Sequence, residues 1–132
     1  MRQLSNFFHY LFILPRVKIR LVRINKVLKN LKKEVNQNPN WASIICSEDF
    51  DLRLTQYVQV HSLLDFSLCG LAGRKISKSE LKACVYFCAC LPLYDDFFDK
   101  GSLSKKEIKN LMYTPKGFNP DNPVQELFIY LL

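Results

Sequence analysis

The segment between Ser77 and Gly101 restricts the fold more than any other part of the chain. Ser77 and Glu80 have the spacing of a capping box, in which each side chain satisfies a backbone N–H group near the start of a helix. Apolar residues then recur at helical spacing, at Leu81, Val85, Phe87, Cys88 and Leu91. Because Gly101 is typical of a helix stop, the segment predicts one long helix that begins at Lys78.

Three carboxylates stand near the end of this segment, in the run Asp95-Asp96-Phe97-Phe98-Asp99. On a helix, Asp95 and Asp99 lie about 40° apart and Asp96 and Asp99 about 60° apart, so the three share one face. Like charges at this spacing, near the negative end of the helix dipole, are unfavourable by a few tenths of a kcal/mol. A hard divalent cation would offset that repulsion, so the run predicts a metal-bridged phosphate site. The alternative is a solvated helix end with its two phenylalanines in the core.

The rest of the 132-residue chain predicts a single all-α domain, a partial helical bundle. We expect an apolar N-terminal helix over residues 1–15, with Pro15 opening a basic amphipathic helix over residues 16–37. A helical core follows over residues 47–132, with further helix starts at Ser104 and at Asn122-Pro123. Because the last residues form an apolar run without a stop signal, we also expect a bundle truncated at its C-terminus.

Basic residues are concentrated at the start of the chain. Residues 1–39 contain nine lysines and arginines against Glu34 alone, although the whole chain has a formal charge of only +7. In residues 16–33 they alternate with apolar residues at a nearly helical period, which is typical of the exposed face of a packed helix. The same pattern suits contact between residues 7–33 and an anionic membrane surface. Nucleic acid is not expected as a partner, because no nucleic-acid-binding motif accompanies the charge.

Other residue types set limits on compartment and chemistry. The apolar run at residues 7–14 is shorter than the roughly 20 residues that span a bilayer, and no signal-peptide cleavage site follows it. An odd number of cysteines, five, favours a reducing compartment, so we expect a cytoplasmic protein. It would be peripheral to the membrane if residues 7–33 contact the bilayer surface. No Ser/His/Asp arrangement and no glycine-rich phosphate loop is present in the sequence.

The order of helices and the Asp-Asp-x-x-Asp box resemble the first half of a class I isoprenoid (terpenoid or polyprenyl) synthase. The run Leu93-Tyr94-Asp95-Asp96-Phe97-Phe98-Asp99 is similar to the first aspartate-rich motif of bacterial members. The resemblance implies that Asp95, Asp96 and Asp99 bind Mg²⁺, which holds the diphosphate of a prenyl diphosphate substrate. Members of the family also carry a second metal-binding motif, and none is present here. We therefore expect a transferase or lyase only if a second half completes the chain.

Within the predicted site, Asp95 and Asp99 are the expected direct ligands, and Asp96 binds a second ion or orients the other two. Lys100 and Arg74 are candidates to meet phosphate oxygens. Two alternatives stay open. Residues 96–107 partly match an EF-hand calcium loop, although Phe98 and Lys100 occupy positions that need oxygen ligands. The other alternative is a non-catalytic helical interaction or membrane-surface domain, and the apolar face of a truncated bundle would favour self-association.

Overall fold

The computed structural model describes residues 2–101 and 103–132, with side chains from Pro15 onward except those of Ser102 and Lys116. Within these ranges the chain forms helices and turns and contains no strand, which confirms the predicted all-α fold. A short 3₁₀ helix spans Pro115–Gly117. The α-helices are α1 (Arg2–Val35), α2 (Pro39–Ile45), α3 (Glu48–Leu71), α4 (Lys78–Asp99), α5 (Lys105–Tyr113) and α6 (Pro123–Leu131).

Helices α3 and α4 form an antiparallel hairpin that positions the acidic run. The connection turns at Gly73, whose positive φ of 70° is a conformation that side-chain-bearing residues rarely adopt. Ser77 and Glu80 then form the predicted capping box, and α4 begins at Lys78 as expected. The end of α4 therefore returns to the beginning of α3, so that residues far apart in sequence meet there.

The core lies where α1 crosses the hairpin and where α6 covers α4. The apolar face of α1 supplies Ile24 and Leu31, both with no exposed side-chain area. Side chains at helical spacing from the other helices complete the core, among them Leu54, Val58, Val85, Leu93, Phe97, Leu127 and Phe128. Burial of such side chains is worth about 1.5–3 kcal/mol each, which fixes the position of the α4 end relative to α3.

The expectation of two separate helices before residue 38 is wrong. Helix α1 runs without interruption from Arg2 to Val35 and contains Pro15 inside it. A proline removes one backbone hydrogen bond from a helix interior, and this loss is smallest where water can reach the free carbonyl. The exposed Pro15 and the buried Pro92 both lie inside uninterrupted helices, α1 and α4, so neither proline ends its helix.

Helix α1 has 34 residues, so its length alone would suffice to cross a bilayer. From Arg16 onward, however, lysines and arginines recur on nearly every turn. Among the described residues, no helix combines the length and the apolar character that a membrane span requires.

Candidate functional site

The three predicted site residues lie in the last turns of α4, beside the first turns of α3. We call this region the acidic end and define it by Asp95, Asp96 and Asp99. The antiparallel hairpin brings Arg53 and Tyr57 of α3 against it. The structure therefore adds a cation and a phenol to the three carboxylates that the sequence singled out.

Asp96 is held by two cations. The Arg53 guanidinium donates two hydrogen bonds to its carboxylate, at 2.9 Å and 3.1 Å, and Lys100 Nζ donates a third at 3.0 Å. The Asp96 side chain is only 14% exposed. The hydrogen bonds from Arg53, which have the largest effect, and the one from Lys100 keep the pKa of Asp96 below its ordinary value, although burial acts in the opposite direction. Asp49 Oδ2 lies 3.3 Å from Arg53 Nε, but the two atoms do not have hydrogen-bond geometry. Asp96 is therefore the main partner of the Arg53 guanidinium.

Asp95 has one partner and one oxygen left over. The hydroxyl group of Tyr57 donates a hydrogen bond to Asp95 Oδ2, and the ring of Tyr57 stacks on His61 with centroids 5.8 Å apart. The hydrogen bond to the carboxylate raises the pKa of Tyr57, and burial adds to that effect. Asp95 Oδ1 accepts no hydrogen bond from the described side chains, so it can accept a ligand without breaking an existing contact.

Asp99 is exposed, and within the described ranges its carboxylate has no hydrogen bond or ion pair. Of the two phenylalanines between the acids, one is buried and the other is exposed. Phe97 is 2% exposed and packs edge-on against Phe128, with ring centroids 5.3 Å apart. Phe98 is 48% exposed and packs edge-on with Tyr94, with ring centroids 4.9 Å apart. The inner side of the motif is thus core, and its outer side faces solvent.

A surface cleft of ≈ 330 Å³ adjoins the acidic end, between α2, α3, α4 and the start of α6. Two cations, Arg53 and Lys100, and two carboxylates, Asp49 and Asp96, line its charged side. Ser47 and Asn122 add polar atoms, and apolar side chains form the remaining wall, among them Phe50, Leu93, Phe97 and Val124. The cleft therefore carries equal numbers of positive and negative side chains beside the motif.

The acidic end fits a Mg²⁺ ion held by two carboxylates better than one held by three. In the described part of the chain, no three His, Cys, Asp or Glu side chains come together as a ready metal-binding group. Asp95 and Asp99, one turn apart, retain accepting oxygens, whereas both oxygens of Asp96 are bonded to cations. Since Mg²⁺ usually takes one or two protein carboxylates, the donor set of Asp95 and Asp99 suits it.

Two residues of the site escaped the sequence analysis. Arg53 and Tyr57 are four residues apart on α3 and thus share a face toward the acids. The sequence does contain a signal for their position. Arg53 lies 21 residues before Arg74, which is in the connection, and Asp96 lies 22 residues after it. An antiparallel hairpin with a turn at that point places them opposite each other. The hairpin itself, however, was not predicted.

The expectation that Arg74 serves the same phosphate as Lys100 is wrong. Arg74 lies in the connection between α3 and α4, where it pairs with Glu80 at 2.6 Å. Helix α4 rises 1.5 Å per residue, so the acidic end is roughly 25 Å from the start of that helix. Lys100, in contrast, lies beside the acids and contacts Asp96.

Comparison of the chain with protein-family models, curated proteins and solved structures found no match. The resemblance to the isoprenoid synthases accordingly stays a prediction from the motif residues. What the structure contributes is the setting of that motif: a long α-helix, two accepting carboxylates one turn apart, and a third carboxylate bound to cations.

Proposed function

We propose that this chain is an isoprenoid synthase-like protein that binds Mg²⁺ and, through the ion, a prenyl diphosphate. One observation supports it above the others. Asp95 and Asp99 lie one turn apart at the end of α4, and each keeps carboxylate oxygen free of hydrogen bonds among the described residues. Two such carboxylates suffice for Mg²⁺ when diphosphate oxygens and water complete its coordination.

The third carboxylate has a different role in this proposal. Asp96 is held by Arg53 and Lys100, so it orients the end of α4 rather than binding the ion. The two cations also line the adjoining cleft, where Asp49 and Asp96 balance their charge. A diphosphate held by Asp95 and Asp99 through Mg²⁺ would therefore rely on the ion to neutralise its charge.

The proposal concerns binding rather than turnover by this chain. A bound Mg²⁺ would neutralise charge on the leaving diphosphate, which is the chemistry by which such an ion assists ionisation. The sequence carries one aspartate-rich motif, at residues 95–99, and the family that it resembles uses two. Catalysis therefore requires ligands that these residues do not supply.

Isothermal titration calorimetry with a non-hydrolysable farnesyl diphosphate analogue tests the proposal. We expect binding that depends on Mg²⁺ and that the double variant Asp95→Asn/Asp99→Asn abolishes. The matched control is Glu48→Gln/Asp121→Asn, which removes two exposed acidic charges elsewhere. The control should bind as the wild type does, because the ligands, and not the net charge, determine affinity.

Three outcomes would contradict the proposal. Unchanged binding by the Asp95→Asn/Asp99→Asn variant would exclude the assigned ligands. Binding of Ca²⁺ in the absence of the analogue, with no effect of Mg²⁺, would favour the calcium-loop alternative at residues 96–107. Absence of any binding would favour a helical interaction domain.

The second candidate, an interaction domain that self-associates, is favoured by an apolar stripe on the outer face of α3. Val60, Leu64, Leu68 and Leu71 recur at helical spacing, and each is more than half exposed. Contiguous apolar surface of this kind is typical of protein–protein contacts. Light scattering at rising concentration should show a dimer, and Leu64→Gln/Leu68→Gln should return the monomer. A wild-type monomer at high concentration would contradict this candidate.

A further inference from the structure

A second charged surface lies at the opposite end of α3 from the acidic end. It is a groove of ≈ 340 Å³ between α1 and the connection that links α3 to α4. Five cations line it, and we call it the basic groove: Arg16, Arg20, Arg23, Arg74 and Lys75, around the ring of Phe66. Within the described residues, no carboxylate lines this groove.

Helical spacing on α1 and the turn after α3 together assemble the basic groove. Arg16, Arg20 and Arg23 recur at intervals of four and three residues, so they share one face of α1. The guanidinium carbons of Arg20 and Arg23 lie 5.5 Å and 5.2 Å from the centroid of Phe66. This distance permits cation–π attraction, which holds both guanidinium groups over the buried ring.

Most of this positive charge has no ion-pair partner among the residues that the structure describes. In the part of the chain that the structure describes, Arg16, Arg20, Arg23 and Lys75 form no ion pair. Arg74 alone has one, with Glu80, and that carboxylate also accepts the backbone N–H of Ser77. Two unit charges 4 Å apart in water repel by about 1 kcal/mol, so the cluster is unfavourable by itself. An external anion would remove that repulsion.

The groove combines guanidinium groups with exposed apolar side chains, and this combination suits the phosphate group of an amphiphilic molecule. Guanidinium groups present paired N–H donors that match phosphate oxygens. Ile19 at the groove and Val22 one turn onward are 63% and 62% exposed, so apolar surface borders the cations. Helix α1 also continues toward its N-terminus through residues 7–14, which are mainly apolar in sequence. A helix with cations beside apolar residues is typical of segments that lie in the surface of an anionic bilayer.

We propose that the basic groove binds phosphate headgroups at the surface of an anionic bilayer, with α1 lying along that surface. This inference is independent of the proposed function at the acidic end, because no residue of the basic groove belongs to that site. It extends the expectation for residues 7–33 to five residues outside them, which complete the groove: Phe66, Gly70, Arg74, Lys75 and Ile76.

Vesicle co-sedimentation of the full chain, without Mg²⁺ or diphosphate, tests the inference. Vesicles of phosphatidylcholine and phosphatidylserine in equal parts should retain the wild type, and vesicles of phosphatidylcholine alone should not. The variant Arg20→Gln/Arg23→Gln/Lys75→Gln should bind the anionic vesicles roughly 100-fold more weakly, since each basic residue near such a surface contributes about fivefold. Arg74 is left unchanged because it pairs with Glu80.

A control variant separates the groove from net charge. Lys105→Gln/Lys106→Gln/Lys109→Gln removes the same three charges from the exposed face of α5. It should bind anionic vesicles within about threefold of the wild type, because these side chains lie outside the groove. Circular dichroism of both variants should show the helical content of the wild type, so that a loss of binding reports on the groove.

Each alternative outcome would overturn the inference. Equal loss of binding by the two variants would show that net charge alone attracts the bilayer. Equal retention by both kinds of vesicle would assign binding to apolar insertion. Saturable binding of inorganic phosphate without vesicle binding would assign the groove to a soluble phosphate compound. Binding of single-stranded RNA that only the groove variant loses, again without vesicle binding, would assign it to nucleic acid.

Discussion

The two ends of the α3–α4 hairpin differ in how their charged side chains are paired. At the acidic end, Asp96 is bound by Arg53 and Lys100, and Asp95 accepts the hydroxyl of Tyr57. At the basic groove five cations converge, and Glu80 on Arg74 is the one carboxylate partner among the described residues. At the first end, one of the three carboxylates is paired with cations, whereas at the second end four of the five cations have no carboxylate partner among the described residues.

This difference distinguishes charged side chains that stabilise the fold from charged side chains that remain available to a ligand. Where opposite charges meet in a partly buried place, their hydrogen bonds stabilise the fold and only the remaining atoms can bind a ligand. Where like charges gather at a surface, they contribute little to stability and attract an external anion instead. Substitutions at the two ends should therefore differ in their effect on the free energy of unfolding.

The largest expected effect is at Arg53. Replacing Arg53 with Ala leaves Asp96 partly buried with Lys100 alone, so the free energy of unfolding should fall by about 2 kcal/mol. Arg20→Ala in the basic groove should change it by less than about 0.5 kcal/mol, because the cation there has no carboxylate partner. Urea denaturation followed by circular dichroism measures both. Equal losses of unfolding free energy in the two variants would show that Arg53 and Arg20 contribute alike to stability, which would contradict the difference between the two ends.

The second effect is a dependence on pH at Asp96. Because the folded-state pKa of Asp96 is lowered, its ionised form stabilises the protein above the ordinary Asp pKa of about 3.9. That stabilisation is lost as the pH falls through the lower folded-state value. Between pH 7 and pH 2 the unfolding free energy of the wild type should therefore fall further than that of Asp96→Asn. Asp121→Asn, at an exposed acid, serves as the control and should behave as the wild type does.

A smaller effect should appear at the basic groove when salt is added. Raising the ionic strength from 0.01 M to 1 M shortens the screening length from about 30 Å to about 3 Å and weakens the repulsion among the cations. The wild type should gain about 0.7 kcal/mol more than Arg20→Gln/Arg23→Gln on this change. Urea denaturation in sodium chloride gives the measurement. The same gain in both proteins would mean that the groove cations do not repel one another appreciably.

The smallest effect is expected at Tyr57. Tyr57→Phe removes the hydrogen bond to Asp95 and should lower the free energy of unfolding by about 0.5 kcal/mol. Tyr113→Phe is the matched control, because that side chain is 79% exposed. If the two substitutions had the same effect in thermal denaturation, the Tyr57 hydroxyl would not contribute to the acidic end.

Much of the helical framework could be predicted from local sequence. The capping boxes at Ser77 and Ser104 and the cap at Asn122 lie where the sequence placed them. Each signal depends on a few adjacent residues and on backbone hydrogen bonds within one turn, so no tertiary information is needed. Pro15 misled the prediction because a proline can either begin a helix or lie inside one, and the neighbouring residues do not distinguish the two cases.

The candidate site could be predicted only in part. Spacing identified Asp95, Asp96 and Asp99 as one group and favoured Asp95 and Asp99 as direct ligands, but it named no partner for any of the three carboxylates. The structure distinguishes them, since Asp96 meets Arg53 across 43 residues of sequence and Asp99 meets no described partner. Long-range partners such as Arg53 follow from how α3 lies against α4, and a single sequence does not specify that alignment.

The sequence by itself determined the helices, the acidic run and the concentration of basic residues before residue 40. These depend on propensities, caps and spacing, which act over distances of about one helical turn. The tertiary structure alone decided which acids are neutralised, and it joined Arg74 and Lys75 to the arginines of α1. The physical reason is that electrostatic interactions depend on distance and burial in space, and packing of the hydrophobic core sets both.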